Sequence, residues 1–334
     1  MGWEEIFSQT GETGGDQFGE SVAISGNYAI VGAYAFDGSK GKAYWYERQR
    51  DGKWVQVQTQ QGEAATDSFG WSVAISGNYA IVGAYGFDGR KGKAYWYERQ
   101  RDGKWREVHT QTGEAAVDQF GWSVAISGNY SIVGAPDFGT DDEGKAYWYQ
   151  RQKDGKWREV HTQLGENGAA EVDEGFAGIV AISGNYAVVG SFMYEDDLLK
   201  IYQRNNFGKW VEIQKLNFTK VNDCFIDGNY LTIGDQAQGR FYIYERKNNG
   251  KWEEVFLKPE SSSLETGKSV SVSGSYIVSS NDTENKIFWS QRKNNGNWEQ
   301  IQVVDKTNIK AVAVSGNYSI FGGNNNIHIY QRYL

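Results

Sequence analysis

The chain reads as all-β, a seven-bladed β-propeller of four-stranded antiparallel blades. Three observations predict this. A Gly-Asn-Tyr or Gly-Ser-Tyr turn recurs at Gly26, Gly77, Gly128, Gly184, Gly228, Gly274 and Gly316, at spacings of 42 to 56 residues. A Gly-x-Trp marker or its remnant recurs at Trp54, Trp105, Trp157, Trp210, Trp252 and Trp298, with a further copy at Trp3. The last repeat stops one strand short, and the N-terminus holds the missing piece. Four-strand units at this period are the signature of propeller blades.

The first repeat shows the elements. Ser21–Ile24 is strand A, small and apolar. Gly26-Asn27 is a two-residue hairpin turn, since both residues tolerate the positive φ that such turns need. Tyr28–Ala33 is strand B, and Tyr34–Gly41 is a longer loop. Lys42–Gln49 is strand C, with Ala43, Trp45 and Glu47 on one side and Tyr44 and Tyr46 on the other. Large side chains on both sides of a strand require both sheet faces to be covered. Asp51-Gly52 turns the chain into strand D, Trp54–Gln60. The last repeat has Lys310–Ser315, Tyr318–Gly322 and Ile327–Arg332 but no fourth strand. Trp3-Glu4-Glu5-Ile6-Phe7 matches Trp252-Glu253-Glu254-Val255-Phe256. Residues 3–8 are therefore expected to pair with the last blade, 308–334, giving one domain over residues 1–334 with no exposed sheet edge left by an open ring.

Composition narrows the partners. Tyr, Trp and Phe make up 15% of the 334 residues, Gly is abundant and Pro nearly absent, which suits short strands and tight turns. The net charge of −8 argues against a nucleic-acid partner. No apolar run approaches the length of a membrane span, and no signal peptide is visible at the N-terminus. The single cysteine, Cys224, excludes an internal disulfide and occupies a position where other repeats carry Val22 or Val73, so it reads as a small buried apolar residue.

The first three repeats are near copies. They carry Phe18-Gly19 with Gly32-Ala33, Phe69-Gly70 with Gly83-Ala84, and Phe120-Gly121 with Gly134-Ala135-Pro136. On these residues the chain resembles the FG-GAP repeat family, whose best-known members are the integrin α-chain propellers. The resemblance implies a seven-bladed propeller that binds ligands through its B–C and D–A loops, and an extracellular or cell-surface location in preference to the cytoplasm. The family's calcium loops lie between strands A and B. Here those connections are Ser-Gly-Asn-Tyr turns without a carboxylate in the first four repeats, which disfavours calcium there, and no cofactor is expected. Asp137, Asp141, Asp142 and Glu143 in the third B–C loop are the weak candidates for a cation.

The B–C and D–A face also carries rings where polar loop residues are the norm. Tyr34, Phe36 and Asp37, Tyr85, Phe87 and Asp88, and Asp137 and Phe138 lie in B–C loops, and Trp71 and Trp122 open the innermost strands. Aromatics beside carboxylates suit stacking on a sugar ring or capture of a protein side chain. The alternative is that they pack between blades. His109 and His161 share one repeat position and read as surface-facing, and no nucleophile–base pair assembles from the spacing of His, Ser and Cys. The resulting expectation is a non-catalytic binding propeller with a protein or glycan ligand, not an enzyme. A lectin-like propeller and a self-assembling disc with acidic and basic faces are the alternatives, the protein being a monomer or weakly self-associating.

Overall fold

The computed structural model describes residues 2–139, 142–168, 171–172, 175–191, 197–218, 220–235, 240–255, 268–281 and 285–333. Seven four-stranded antiparallel sheets are arranged as blades. In blade 1 the strands are Phe18–Ser25, Tyr28–Ala33, Lys42–Arg48 and Trp54–Gln61. The same A–B–C–D order repeats through blade 6, which ends in Trp298–Asp305. Blade 7 takes Ala311–Ser315, Tyr318–Gly323 and Asn326–Tyr333 from the end of the chain, and Gly2–Thr10 pairs antiparallel with Asn326–Tyr333 as its outer strand. The ring is thus closed by the strand expected from the Trp3 match. A short hairpin, Asn167–Gly168 with Glu171–Val172, decorates the connection into blade 4.

Alternation along strand C decides where the core sits. Trp45 packs in the cluster shared with blade 2, whereas Tyr44 and Tyr46 pack in the cluster shared with blade 7. Each blade is a two-faced sheet whose faces are buried on its neighbours, so the core is a series of inter-blade layers.

The repeated residues make those layers. Each Gly-Asn-Tyr tyrosine is contacted edge-on by the tryptophan that starts strand D of the next blade, from Tyr28–Trp105 at 5.8 Å to Tyr230–Trp298 at 5.4 Å. An arginine of that next blade lies over the same ring, for example Arg99 over Tyr28 at 4.9 Å and Arg151 over Tyr79 at 5.0 Å. At the closing junctions Trp3 and Arg332 contact Tyr276, and Trp54 and Arg48 contact Tyr318. Edge-to-face ring pairs add about 0.5–1.5 kcal/mol beyond burial, and cation–π contacts about 0.5–1 kcal/mol. The arginines that end strand C are therefore pins between blades.

A second ring of bonds surrounds the channel. The Ser25 hydroxyl accepts from the Gly77 N–H, Ser76 from Gly128, Ser127 from Gly184, Ser183 from Gly228, Ser273 from Gly316 and Ser315 from Gly26. In blade 5 the carboxylate of Asp227 does the same for Gly274. The circuit of seven bonds passes through every blade.

The Phe-Gly and Gly-Ala pairs have a steric reason. Phe69 and Phe120 are fully buried and meet Tyr95 and Tyr147 of their own blades edge-to-face. The next residue must pass against the preceding blade: a Cβ built on Gly83 would lie 1.9 Å from the Gly121 carbonyl oxygen, and one on Gly32 1.9 Å from that of Gly70. Gly83→Ala is expected to destabilise the protein by about 1–3 kcal/mol, as overpacking does. Gly14→Ala, where a Cβ meets nothing within 4 Å, should stay within about 0.5 kcal/mol of the parent. Urea titration of both variants checks the contrast, and equal midpoints would refute the close-approach account.

Candidate functional site at the channel mouth

The inner strands enclose a central cavity of about 350 Å³. Repeat register places one residue of each blade at its mouth: Glu20, Trp71, Trp122, Gly178, Asn222, Lys268 and Lys310, six residues before each hairpin glycine. All except Trp122 line the cavity. Blade 2 thus contributes an aromatic ring to the lining, blade 4 no side chain, and blades 5, 6, 7 and 1 an amide, two cations and an acid, while Trp122 of blade 3 stands just outside it.

Of the rings expected at the site, four come together. Trp71 contacts Tyr34 at 4.8 Å, Tyr85 at 4.7 Å and Trp122 at 4.8 Å, and Tyr85 contacts Trp122 at 5.0 Å. The phenol of Tyr34 is pushed above its ordinary range by burial, with the Glu20 carboxylate adding to it. Trp71 therefore presents a fixed ring to the channel, supported from behind by the other three.

Phe36, Phe87 and Phe138 do not join this cluster. Each is covered by the ammonium group that opens strand C, Lys42 at 4.6 Å, Lys93 at 4.7 Å and Lys145 at 4.6 Å. Those lysines are paired with Glu12, Glu63 and Glu114 of the D–A connections. Tyr44, Tyr95 and Tyr147 donate their hydroxyls to the same three carboxylates. Three glutamates of the acidic connections are thus paired in these boxes, and the phenylalanines lie against the paired lysines. Asp37 and Asp88 are exposed at left-handed positions, φ 50° and 48°, inside single helical turns at Phe36–Ser39 and Phe87–Arg90. Asp137 pairs with Arg90 at 3.1 Å across the blade junction. Burial raises the Asp137 carboxyl, and nearby Asp142 adds to the rise. Asp141 lies outside the described residues, and Glu143 packs its carboxylate over Gly139. Among the described residues no three His, Cys, Asp or Glu side chains converge as metal ligands do.

The histidines are a correction. His109 and His161 are half-buried, with their rings packed at an angle against Trp96 at 4.8 Å and Trp148 at 4.9 Å, and burial lowers both imidazoles below their ordinary range. A strand D residue turned inward by the register shift opposite Trp96 and Trp148 escapes simple alternation. Cys224 is buried as expected.

Sequence reasoning passed over Asp223. It lines the cavity at the position held by Ser21, Ser72 and Ser123 in blades 1 to 3. Its carboxylate accepts the Ser269 hydroxyl at 2.7 Å and the Val270 N–H at 3.0 Å, the contact that Ser21 makes to Val73 and Ser123 to Val180. Burial raises its carboxyl to about 6, against the lowering effect of those bonds. The neighbouring Phe225 is the one large side chain in a ring of Ala23, Ala74, Ala125, Ala181, Ser271 and Ala313, and it narrows the channel below the mouth. The signal was present in the sequence, in the column of residues formed when the repeats are aligned on their hairpin glycines.

Fold and mouth together define a seven-bladed β-propeller with a funnel at the end where strand A begins. The chain carries FG-GAP repeats, for the family model so described matches residues 9–46, 54–97 and 110–149. A second model, described as LVIVD repeat, matches residues 174–194. No curated protein matches the chain. Among solved structures the fold is similar to the periplasmic gluconolactonase PpgL of Pseudomonas aeruginosa, with 15% identity, TM-score 0.61, and coverage of 86% of this chain and 85% of that one. A Bacteroides uniformis protein assigned as a 6-phosphogluconolactonase gives 15% identity and TM-score 0.62, with 86% of each chain covered. Virginiamycin B lyase of Staphylococcus aureus gives 11% identity and TM-score 0.62, covering 99% of this chain and 100% of that one.

These matches overturn the expectation of a non-catalytic binding propeller, with its lectin-like and self-assembling alternatives. That expectation leaned on integrin-type propellers and on the failure to assemble a catalytic set from sequence spacing. The proteins that share this architecture include two lactonases and a lyase. In a ring of repeats the groups at the mouth are one blade apart in sequence, so linear spacing hides them. Among the described residues no helix is long and apolar enough to cross a membrane.

Proposed function

We propose that the protein is an enzyme that opens a cyclic ester, a lactone, at the channel mouth. The observation that carries this is the lone carboxyl at a serine position of the channel wall, Asp223, raised to about 6 and flanked by the Asn222 amide. A base poised near neutrality is what general-base catalysis requires. In the reaction, water attacks the lactone carbonyl carbon and Asp223 takes its proton. The Asn222 amide supplies a hydrogen-bond donor to the developing oxyanion, as side-chain amides do in other acyl-transfer sites. The ring C–O bond then breaks, the leaving alkoxide recovers the proton, and a hydroxy acid results. Trp71 holds the flat face of the lactone ring.

The lactonase names among the similar structures support this reading, and so does the shared architecture. Their site residues are not transferred, because the likeness at this identity reaches only the fold. The periplasmic neighbour also supports a location outside the cytoplasm, which cell fractionation would check. The chemistry is tested by following acid release from glucono-1,5-lactone and its 6-phosphate in a pH-stat. Acceleration over the buffer rate that is lost in Asp223→Ser is the expected result. A parent protein that releases acid no faster than buffer would refute the proposal.

A further inference from the structure

We infer that the mouth selects a ring-shaped substrate that carries an anionic group, a carboxylate or a phosphate, held by Lys268 and Lys310 while the ring lies on Trp71. This rests on the reading of the mouth as a lactone-opening site and specifies which lactones it takes.

Three observations carry it. The chain has a net charge of −8, yet the two lysines at the mouth sit on adjacent blades, 6 and 7, at the same repeat position. The other blades carry Glu20, Trp71, Trp122, Gly178 and Asn222 there, so the pair is a local feature and not a property of the repeat. Both lysines are partly buried on the cavity wall, where a charge is screened less than on an open surface. Trp71 lines the same cavity, two blades from Lys310 with Glu20 between them around the ring. A ligand with an apolar ring face and an anionic substituent spans these groups. Phe225 narrows the channel below them, which favours a ligand held at the rim beside Asp223.

Calorimetric titration of the Asp223→Ser protein, which removes turnover and leaves the lysines, tests this. The probes are glucose 6-phosphate, glucuronate, glucose and inorganic phosphate. Both anionic hexoses should bind at least about tenfold more tightly than glucose, with affinity falling as salt rises, in line with one or two charge-assisted contacts. Lys268→Gln and Lys310→Gln should each weaken the anionic hexoses about tenfold and leave glucose unchanged. Trp71→Ala should weaken all three hexoses and leave inorganic phosphate unchanged. The order of glucose 6-phosphate and glucuronate decides between phosphate and carboxylate. Glucose binding as tightly as its charged relatives, or lysine variants that bind like their parent, would overturn the inference. Acid release by the unmutated protein separates the two claims. Anionic hexoses that bind without any lactone being opened leave this inference standing and remove the catalytic one. Lactones opened equally fast with and without a charged group do the reverse.

Discussion

Deletion of residues 2–10 yields a protein that no longer unfolds in one cooperative transition and that aggregates at concentrations where the parent is dispersed. The segment supplies the outer strand of blade 7, in register from Gly2 opposite Tyr333 to Thr10 opposite Asn326. Without it the Asn326–Tyr333 strand becomes a bare edge, and bare edges template association. The loss is also one of packing. Trp3 is 3% exposed, stacks on Trp289 at 5.8 Å and meets Tyr276 edge-on at 6.0 Å. Gln302 clamps its backbone, accepting from the Trp3 N–H and donating to the Trp3 carbonyl, both at 2.7 Å. Gln58 clamps Trp105 and Gln214 clamps Trp252 in the same way inside the ring. Trp3→Ala alone should cost about 3–5 kcal/mol, as other buried tryptophans do. Urea denaturation and light scattering measure both effects. A truncated protein with the parent's midpoint would show that the seventh blade does not need this strand.

Replacing Asp223 by serine should lower kcat for lactone opening by about 10²–10⁴-fold, the usual worth of a positioned base. The protein should remain folded. Serine is what blades 1 to 3 carry at this position, and Ser21 and Ser123 show that it makes the inter-blade bond unaided. The two pH dependences run in opposite senses. Activity rises as the carboxyl ionises, so kcat/KM should climb through a pH of about 6. For stability, the folded carboxyl binds its proton more tightly than the unfolded one, whose pKa is about 3.9. The folded state therefore holds more protons between roughly pH 4 and 6, and stability falls as pH rises through that window. Serine lacks this cost, so the variant should melt no lower than its parent at pH 7. A variant that keeps its activity removes Asp223 from the mechanism. One that melts well below the parent shows that the carboxylate is there for the junction.

The blade count was legible because each blade repeats the same contacts. A tyrosine that must receive a tryptophan and an arginine from the next blade leaves a mark at a fixed distance in sequence, and Trp3 was recognisable as the copy that closes the ring. The surroundings of the B–C loop phenylalanines were not legible in the sequence, for a physical reason. Phe36, Phe87 and Phe138 look like exposed rings until strand C places a lysine ammonium over each of them. His109 and His161 were misread because the shift in strand pairing turns them onto tryptophans. The mouth was half legible: Trp71 and Trp122 stood out as single residues, whereas Asn222, Asp223, Lys268 and Lys310 look ordinary until the blades are superposed.

By itself the sequence determined the architecture, the closing strand and the buried state of Cys224, because a repeat writes its local contacts at regular intervals. Only the tertiary structure decided which charged and aromatic groups share the channel. A closed ring brings residues 42 to 290 positions apart to one rim, and their proximity depends on blade curvature and register that no single repeat encodes.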